Sequence, residues 1–115
     1  MRLVKNHLNL EMVRGDTLAF GIKIYKLGQM PDGIWFTCKE NYDDKETLFQ
    51  KTLDDGISVV EQNDDGDYYF RVNVSPTDTL SLEPKKYYYD CVIAANGDIY
   101  TIMKGILTIE YNVTD

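Results

Sequence analysis

Two alternating apolar segments near the C-terminus flank the dipeptide Asn96-Gly97, and they constrain the fold more than any other part of the sequence. Asn-Gly is typical of two-residue hairpin turns, because both residues accept the positive φ angles that such turns require. We therefore predict an antiparallel β-hairpin centred on this dipeptide. Its register places Ile93 opposite Tyr100 and Cys91 opposite Ile102, so that apolar side chains meet on one face.

The second strand of this hairpin changes its alternation part-way along. Tyr100 and Ile102 are apolar at even positions, whereas Leu107 and Ile109 are apolar at odd ones. A one-residue bulge near Lys104-Gly105 would restore the phase, since glycine tolerates the backbone conformation of a bulge. We therefore predict that the last strand is long and kinked.

Period-two alternation continues through the rest of the chain, and no long segment has helical periodicity. The dipeptide Asp65-Gly66 predicts another hairpin, with Val59 opposite Val72 and Ile57 opposite Val74. Seven to eight short strands at regular spacing are typical of an antiparallel β-sandwich. We predict an all-β sandwich that forms a single domain over residues 1–115, with residues 1–6 flexible.

One short helical turn is predicted near residues 76–82. Ser75 can cap it, Pro76 suits the first helical position, and Asp78 completes the capping pattern. Leu80 and Leu82 are expected to face the core while the turn crosses from one sheet to the other.

The charge balance argues against several classes of partner. Nineteen acidic residues against 12 basic ones give a net charge of −7, which is opposite to the basic surface of a nucleic-acid-binding or membrane-surface protein. No apolar run reaches the ~18 residues that a membrane span needs. The N-terminus lacks the apolar core of a signal peptide, so we expect cytoplasmic synthesis. Cys38 and Cys91 are expected to be buried free thiols.

The sequence offers no catalytic constellation. Its one histidine, His7, lies near the N-terminus, so a serine or cysteine nucleophile lacks a base within the core. Two cysteines without a histidine partner make no zinc site, and no glycine-rich phosphate loop precedes a helix. We therefore predict a protein that is not an enzyme and that uses no cofactor.

Acidic residues near the predicted hairpin turns leave weak calcium binding open. The segment 63–67 superficially resembles a calcium loop, but the terminal bidentate acid is missing, and a hairpin turn explains the same residues. The acids that would take part in weak calcium binding are Asp54, Asp55, Asp64, Asp65 and Asp67.

Aromatic residues suggest an interaction surface. Tyr87 and Tyr89 share one strand face and Tyr88 lies on the other, so that one or two tyrosines must be exposed. Tyrosine provides a large contact area at low entropic cost, although core packing is the alternative role. The first and last strands are expected to be sheet edges open to strand addition or self-association. The candidate surface residues are Tyr25, Trp35, Tyr42, Tyr88 and Tyr111.

Part of this pattern resembles immunoglobulin-like domains. Trp35 lies on the predicted third strand, and Tyr89-Asp90-Cys91 on the predicted sixth strand matches their Tyr-x-Cys motif. The resemblance implies an immunoglobulin-like sandwich with Tyr89 as a tyrosine corner against residues 77–83. The second strand carries Phe20 and Ile22 where such domains have a cysteine, so the resemblance implies a disulfide-free variant.

A second resemblance covers most of the chain. The order of its segments is similar to that of the N-terminal domain of the phage baseplate upper protein family. The matching segments are Arg14-Gly15-Asp16-Thr17, Gly33, Thr37-Cys38-Lys39, Asp65-Gly66-Asp67-Tyr68, 78–82, Tyr87-Tyr88-Tyr89-Asp90 and Gly105-Ile106-Leu107-Thr108-Ile109. The resemblance implies a structural part of a phage or prophage tail or baseplate, made in a bacterial host, incorporated into the virion and docked to other tail subunits. A carbohydrate-binding sandwich that uses Trp35 and exposed tyrosines is the alternative.

Overall fold

The computed structural model describes residues 6–112, which form nine strands and one short helix. The elements are β1 (Asn6–His7), β2 (Leu10–Val13), β3 (Leu18–Ile24), β4 (Gly33–Lys39), β5 (Phe49–Leu53), β6 (Gly56–Gln62), β7 (Tyr68–Val74), α1 (Pro76–Thr79), β8 (Lys86–Ala95) and β9 (Asp98–Glu110).

The strands form one mixed sheet in the order β1-β9-β8-β4-β5-β6-β7-β3, and β2 also pairs with β9. The sheet curls until it is nearly closed into a barrel. Within this sheet, the groups β9-β8-β4 and β6-β7-β3 are antiparallel. Strand β5 joins them, because it pairs antiparallel with β4 and parallel with β6. The predicted all-β fold is confirmed, but the described residues form nine strands instead of seven to eight, and the pairings β1–β9, β2–β9 and β5–β6 are parallel, so the sheet is mixed and not purely antiparallel.

The core lies between these two groups of strands. Alternate residues of β4 and β8 are buried, as the period-two pattern predicts. Phe36 is fully buried, and its ring centroid lies 5.5 Å from that of Phe20, 6.3 Å from that of Phe49 and 5.2 Å from that of Tyr89. Because Phe20 belongs to β3 and Phe36 to β4, this cluster holds the two halves of the fold together.

The C-terminal hairpin has its predicted turn, and Ile93 lies opposite Tyr100. Farther from the turn the prediction is wrong, because Cys91 lies opposite Met103 instead of Ile102. The register shifts at Ile102, so the bulge comes before the predicted position near residues 104–105. Both Ile102 and Met103 are buried, and a bulge is what allows two consecutive apolar residues to enter the core.

Gly105 has a different role from the predicted one. The N-terminal strands β1 and β2 run parallel to β9, and a Cβ atom at position 105 would overlap the carbonyl oxygen of Leu8. Gly105 therefore lets the N-terminal segment approach the last strand. As a result β9 lies inside the sheet, so the prediction that the last strand is an edge is wrong, whereas β1 does lie at an edge.

The expected flexibility of residues 1–6 stays a prediction, because residues 1–5 lie outside the described range; Asn6 pairs with Met103 in β1. The predicted tyrosine corner at Tyr89 is wrong. Its hydroxyl donates to the Leu8 carbonyl at 2.5 Å, and it is Tyr87 that donates to an upstream carbonyl, that of Glu83, at 2.6 Å.

The hairpin between β6 and β7 has a different register from the predicted one. Ile57 lies opposite Val72 and Val59 opposite Phe70, a shift of two residues. The connection is a five-residue loop, in which the Asn63 side chain accepts two backbone N–H groups of the loop at 3.0 Å. This even shift leaves Ile57 and Val59 on their predicted face, and a bulge between Val59 and Glu61 changes the register next to the loop.

Helix α1 begins at Pro76 with the predicted capping box between Ser75 and Asp78. Leu82 packs against the core as expected, but Leu80 is 63% exposed, and that part of the prediction is wrong. The buried residue is instead Thr79, whose hydroxyl oxygen accepts the backbone N–H of Gly15 at 2.9 Å.

Candidate functional site

The side of β4, β8 and β9 that points away from the core is the strongest candidate for a binding surface. Alternation places every second residue of these strands on this side, and each of those named below remains partly accessible. We call this surface the outer face. Its strand residues are Trp35, Thr37, Lys39, Tyr88, Asp90, Val92, Lys104 and Ile106.

Two of the predicted tyrosines meet on the outer face. The ring of Tyr42, from the loop after β4, lies 4.2 Å from that of Tyr88 between centroids, and Tyr42 is 58% exposed. A small open pocket of about 50 Å³ lies beside the pair. Its lining residues are Thr37, Lys39, Tyr42, Tyr88, Tyr89 and Asp90.

Charged groups surround the carboxylate of Asp90 without neutralising it through a close contact. Lys104 lies directly opposite on β9, and Lys39 lies on the neighbouring strand, with its Nζ donating to the Asp44 carbonyl at 2.8 Å. In the described part of the chain, neither lysine is within salt-bridge distance of Asp90. Burial raises the pKa of Asp90, and the two lysines oppose that rise. The carboxylate is therefore available to a donor from outside.

Trp35 lies on the outer face but near the other end of β4. It is partly buried, and its ring covers Gly33, where an added Cβ atom would come within 2.7 Å of an indole carbon. Its neighbours across the strands are Thr52 and Val92. Trp35 can therefore extend the aromatic surface, but it does not contact the tyrosine pair.

The other two predicted residues are elsewhere. Tyr25 follows β3 on the opposite half of the sandwich, where the Nζ of Lys23 lies 4.3 Å from its ring centroid and 4.7 Å from that of Tyr69. Tyr111 lies beyond the end of β9 and is 75% exposed. The structure thus brings together only part of the predicted set. It adds Lys39, Asp90 and Lys104, which the alternation of β4, β8 and β9 could have indicated.

The acids proposed for weak calcium binding are divided between two loops. Asp54 and Asp55 precede β6 and Asp64 and Asp65 follow it, so the length of that strand separates them. Asp67 accepts the backbone N–H of Lys26 at 2.9 Å, and that bond together with Asn63 lowers its pKa. Within residues 6–112, no group of three acidic, histidine or cysteine side chains is arranged to hold a metal ion. Over the same residues, no helix is long and apolar enough to cross a membrane.

The two cysteines are free and fully buried, as predicted. Burial raises the pKa of Cys38 and that of Cys91 to about 12. Because the thiolate is the reactive species, we expect both thiols of the folded chain to react with a thiol reagent about 100-fold more slowly than those of the unfolded chain. Titration with and without denaturant measures this, and one fast thiol in the folded chain would contradict the assigned burial.

No protein-family model matches this chain, and no curated protein matches it in sequence. A function is therefore inferred from the outer face and from the order of segments along the sequence.

Proposed function

We propose that this protein is a non-catalytic structural module that takes part in assembling the tail or baseplate of a phage or prophage. It would be made in the cytoplasm of a bacterial host and then incorporated into the virion. The observation that carries the interaction role is the Tyr42–Tyr88 pair beside the partly buried Asp90. The reason for proposing a phage tail or baseplate is that the order of segments resembles that of baseplate domains.

The outer face has the composition of a protein contact. Tyrosine is enriched at interfaces because its ring contributes large area at small entropic cost while its hydroxyl still finds partners. Asp90 lies opposite Lys104 on β9, and Lys39 lies on β4 opposite the neighbouring Tyr88. Charges of both signs at these positions favour a partner of complementary pattern. A flat surface of this kind, with only a shallow pocket, suits a subunit better than a small substrate.

The assembly role is tested by following the chain into particles. A tagged copy expressed during phage production should be found in purified virions and in tail complexes, where chemical crosslinking should join it to a tail subunit. If the chain is absent from particles and from every tail intermediate, the assembly proposal is wrong.

We expect Tyr42→Ala to weaken the contact with the crosslinked tail subunit about tenfold, because aromatic residues near the centre of an interface dominate its energy. Titration calorimetry with the purified subunit measures the change. Tyr25→Ala is the matched control, since Tyr25 is 50% exposed but lies on the other half of the sandwich. If both variants lost the same affinity for the subunit, or if Tyr42→Ala lost none, the outer face would not be the surface that contacts the subunit.

A carbohydrate-binding role is the second candidate. It is favoured by Trp35, which is partly exposed, and by the small pocket beside two tyrosine rings, which Lys39 and Asp90 help to line, because aromatic platforms next to hydrogen-bonding groups suit sugar rings. A glycan array separates the two roles: binding that Trp35→Ala abolishes would support it, and an array without hits would exclude it.

A further inference from the structure

Strand β3 ends the sheet and has few of the features that protect edge strands. Within residues 6–112 it pairs with β7 alone. Its seven residues contain no proline, and Lys23 is its one charge. Long, unprotected edges invite pairing with another strand, because their outward N–H and C=O groups have no strand partner.

The apolar side of β3 is also incompletely covered. Leu18, Phe20 and Ile22 point toward the core and pack against it, yet each remains partly accessible. By contrast, the apolar residues of the inner strands β4 and β8 that share this side are buried. The apolar residues of β3 are more accessible because the sheet does not close at this strand. They expose apolar area that another strand would cover.

The sequence of β3 is complementary to itself when two copies run antiparallel about Gly21. In that register Leu18 faces Ile24 of the second copy, and Phe20 faces Ile22, so apolar side chains meet on the core side. On the other side Ala19 faces Lys23 of the second copy, and the two glycines face each other. Neither side brings like charges directly together.

The surroundings of Gly21 permit this approach. Gly21 is exposed, and on its side of the sheet an open groove of about 570 Å³ extends across β3, β7 and β6, with a lining that includes Gly21, Val60 and Arg71. Arg71 lies opposite Gly21 on β7. In the paired state the two Arg71 residues would be separated by three strand spacings, about 14 Å, so their repulsion would be small.

We propose that two copies of this chain associate through antiparallel pairing of their β3 strands, with the two-fold axis at Gly21. The contact uses a different surface from the outer face, so the dimer and the tail contact can succeed or fail independently. A second copy is the partner that the strand itself specifies, because its four large apolar residues, Leu18, Phe20, Ile22 and Ile24, each meet a large apolar residue of the same strand.

Sedimentation velocity of the full chain, from low micromolar to submillimolar concentration, tests the association. Ala19→Lys places a lysine opposite Lys23 of the other copy, twice per dimer, and should weaken dimerisation about tenfold. Ala19→Glu places a carboxylate there and should leave the affinity within about threefold or increase it. The double variant Ala19→Lys with Lys23→Glu should restore the affinity.

Ser58→Lys is the matched control, because Ser58 is exposed and lies opposite Arg71 on β6, two strands away from the edge. Thermal melts identify any variant that fails to fold. A wild-type chain that stays monomeric throughout, or equal effects of Ala19→Lys and Ser58→Lys, would overturn the proposal. Equal weakening by Ala19→Lys and Ala19→Glu would also overturn it, since it would show that bulk matters and register does not.

A crosslink supplies an independent readout. A side chain fits at position 21, where an added Cβ atom would come no closer than 3.7 Å to another residue. Gly21→Cys should therefore form a disulfide-linked dimer on mild oxidation, whereas Ser58→Cys should not. Crosslinking of both variants at the same rate would contradict the two-fold axis at Gly21.

Discussion

Replacing Gly105 with alanine is expected to lower the free energy of unfolding by about 3 kcal/mol, the scale of a severe overpacking defect. The new Cβ atom would overlap the Leu8 carbonyl oxygen and lie 2.9 Å from the carbonyl carbon. Backbone cannot move aside as a flexible side chain can, so β1 and β2 must shift away from β9. That shift weakens the bond from Leu8 N–H to the Lys104 carbonyl, 3.1 Å long.

Two more contacts are expected to weaken with it. The Tyr89 hydroxyl donates to the Leu8 carbonyl, and the Asn9 side chain accepts the Ile106 N–H at 3.2 Å. Losing the first leaves a buried hydroxyl without its acceptor, which costs more than the bond itself contributes. These three contacts of the N-terminal segment therefore depend on the absence of a side chain at position 105.

Urea unfolding of the wild type, Gly105→Ala and Gly21→Ala measures the effect, at a protein concentration low enough to keep the chain monomeric, because Gly21 lies on the proposed dimer axis. Gly21 is the matched control, since it also lies in a strand, but an added Cβ atom there meets nothing closer than 3.7 Å. Its alanine variant should change stability by no more than about 0.5 kcal/mol. Hydrogen exchange should show faster exchange in β2 and unchanged exchange in β7. Equal stability of the two variants would contradict the assigned packing of the N-terminal strands.

The sequence predicts the faces of the strands well because a strand repeats every two residues whatever its partner. It predicts register well near Asn96-Gly97, since the turn itself fixes the first pairs. The sequence does not predict the position of the bulge in β9, because glycine tolerates a bulge well and Gly105 therefore looks like a better bulge position than Ile102. That glycine is instead required by Leu8, nearly the whole length of the chain away, and no local pattern contains such a contact.

The sequence likewise predicts only part of the candidate site. The side of β8 that carries Tyr88 follows from alternation, and so does the position of Asp90 on the same side. The contact with Tyr42 does not, because it depends on the conformation of the loop after β4. There Asp44 accepts the backbone N–H of Asn41 at 3.0 Å and closes a turn that holds Tyr42 over the sheet.

Asp78 connects the short helix to the sheet, and its carboxylate has several partners. It accepts the backbone N–H of Ser75 at 2.7 Å and the Ser75 hydroxyl at 2.9 Å. It also forms an ion pair with the Nζ of Lys51 at 2.7 Å, and both side chains are largely buried, with 14% and 13% exposed. This carboxylate therefore caps α1 and ties it to β5.

Asp78→Asn is expected to lower the free energy of unfolding by about 2 kcal/mol at neutral pH, combining a weakened cap with a charge-assisted bond lost beside a largely buried lysine. Lys51→Met serves as the control that removes the ion pair but keeps the cap, and it should cost less. Thermal or urea unfolding measures both. If the two variants were equally stable, the capping contribution assigned to Asp78 would be wrong.

The same carboxylate should give the stability a defined pH dependence. Burial raises the pKa of Asp78, but hydrogen bonds from Lys51 and Ser75 outweigh it and leave the pKa below its ordinary value of 3.8. A group with a lowered pKa in the folded state stabilises the fold above its unfolded pKa, and this contribution is lost as pH falls through the folded value. The wild type should therefore lose its advantage over Asp78→Asn as pH falls below 3.8, and the two unfolding curves should converge in acid. A difference that stayed constant down to the lowest pH would show that the carboxylate is not the charged partner of Lys51.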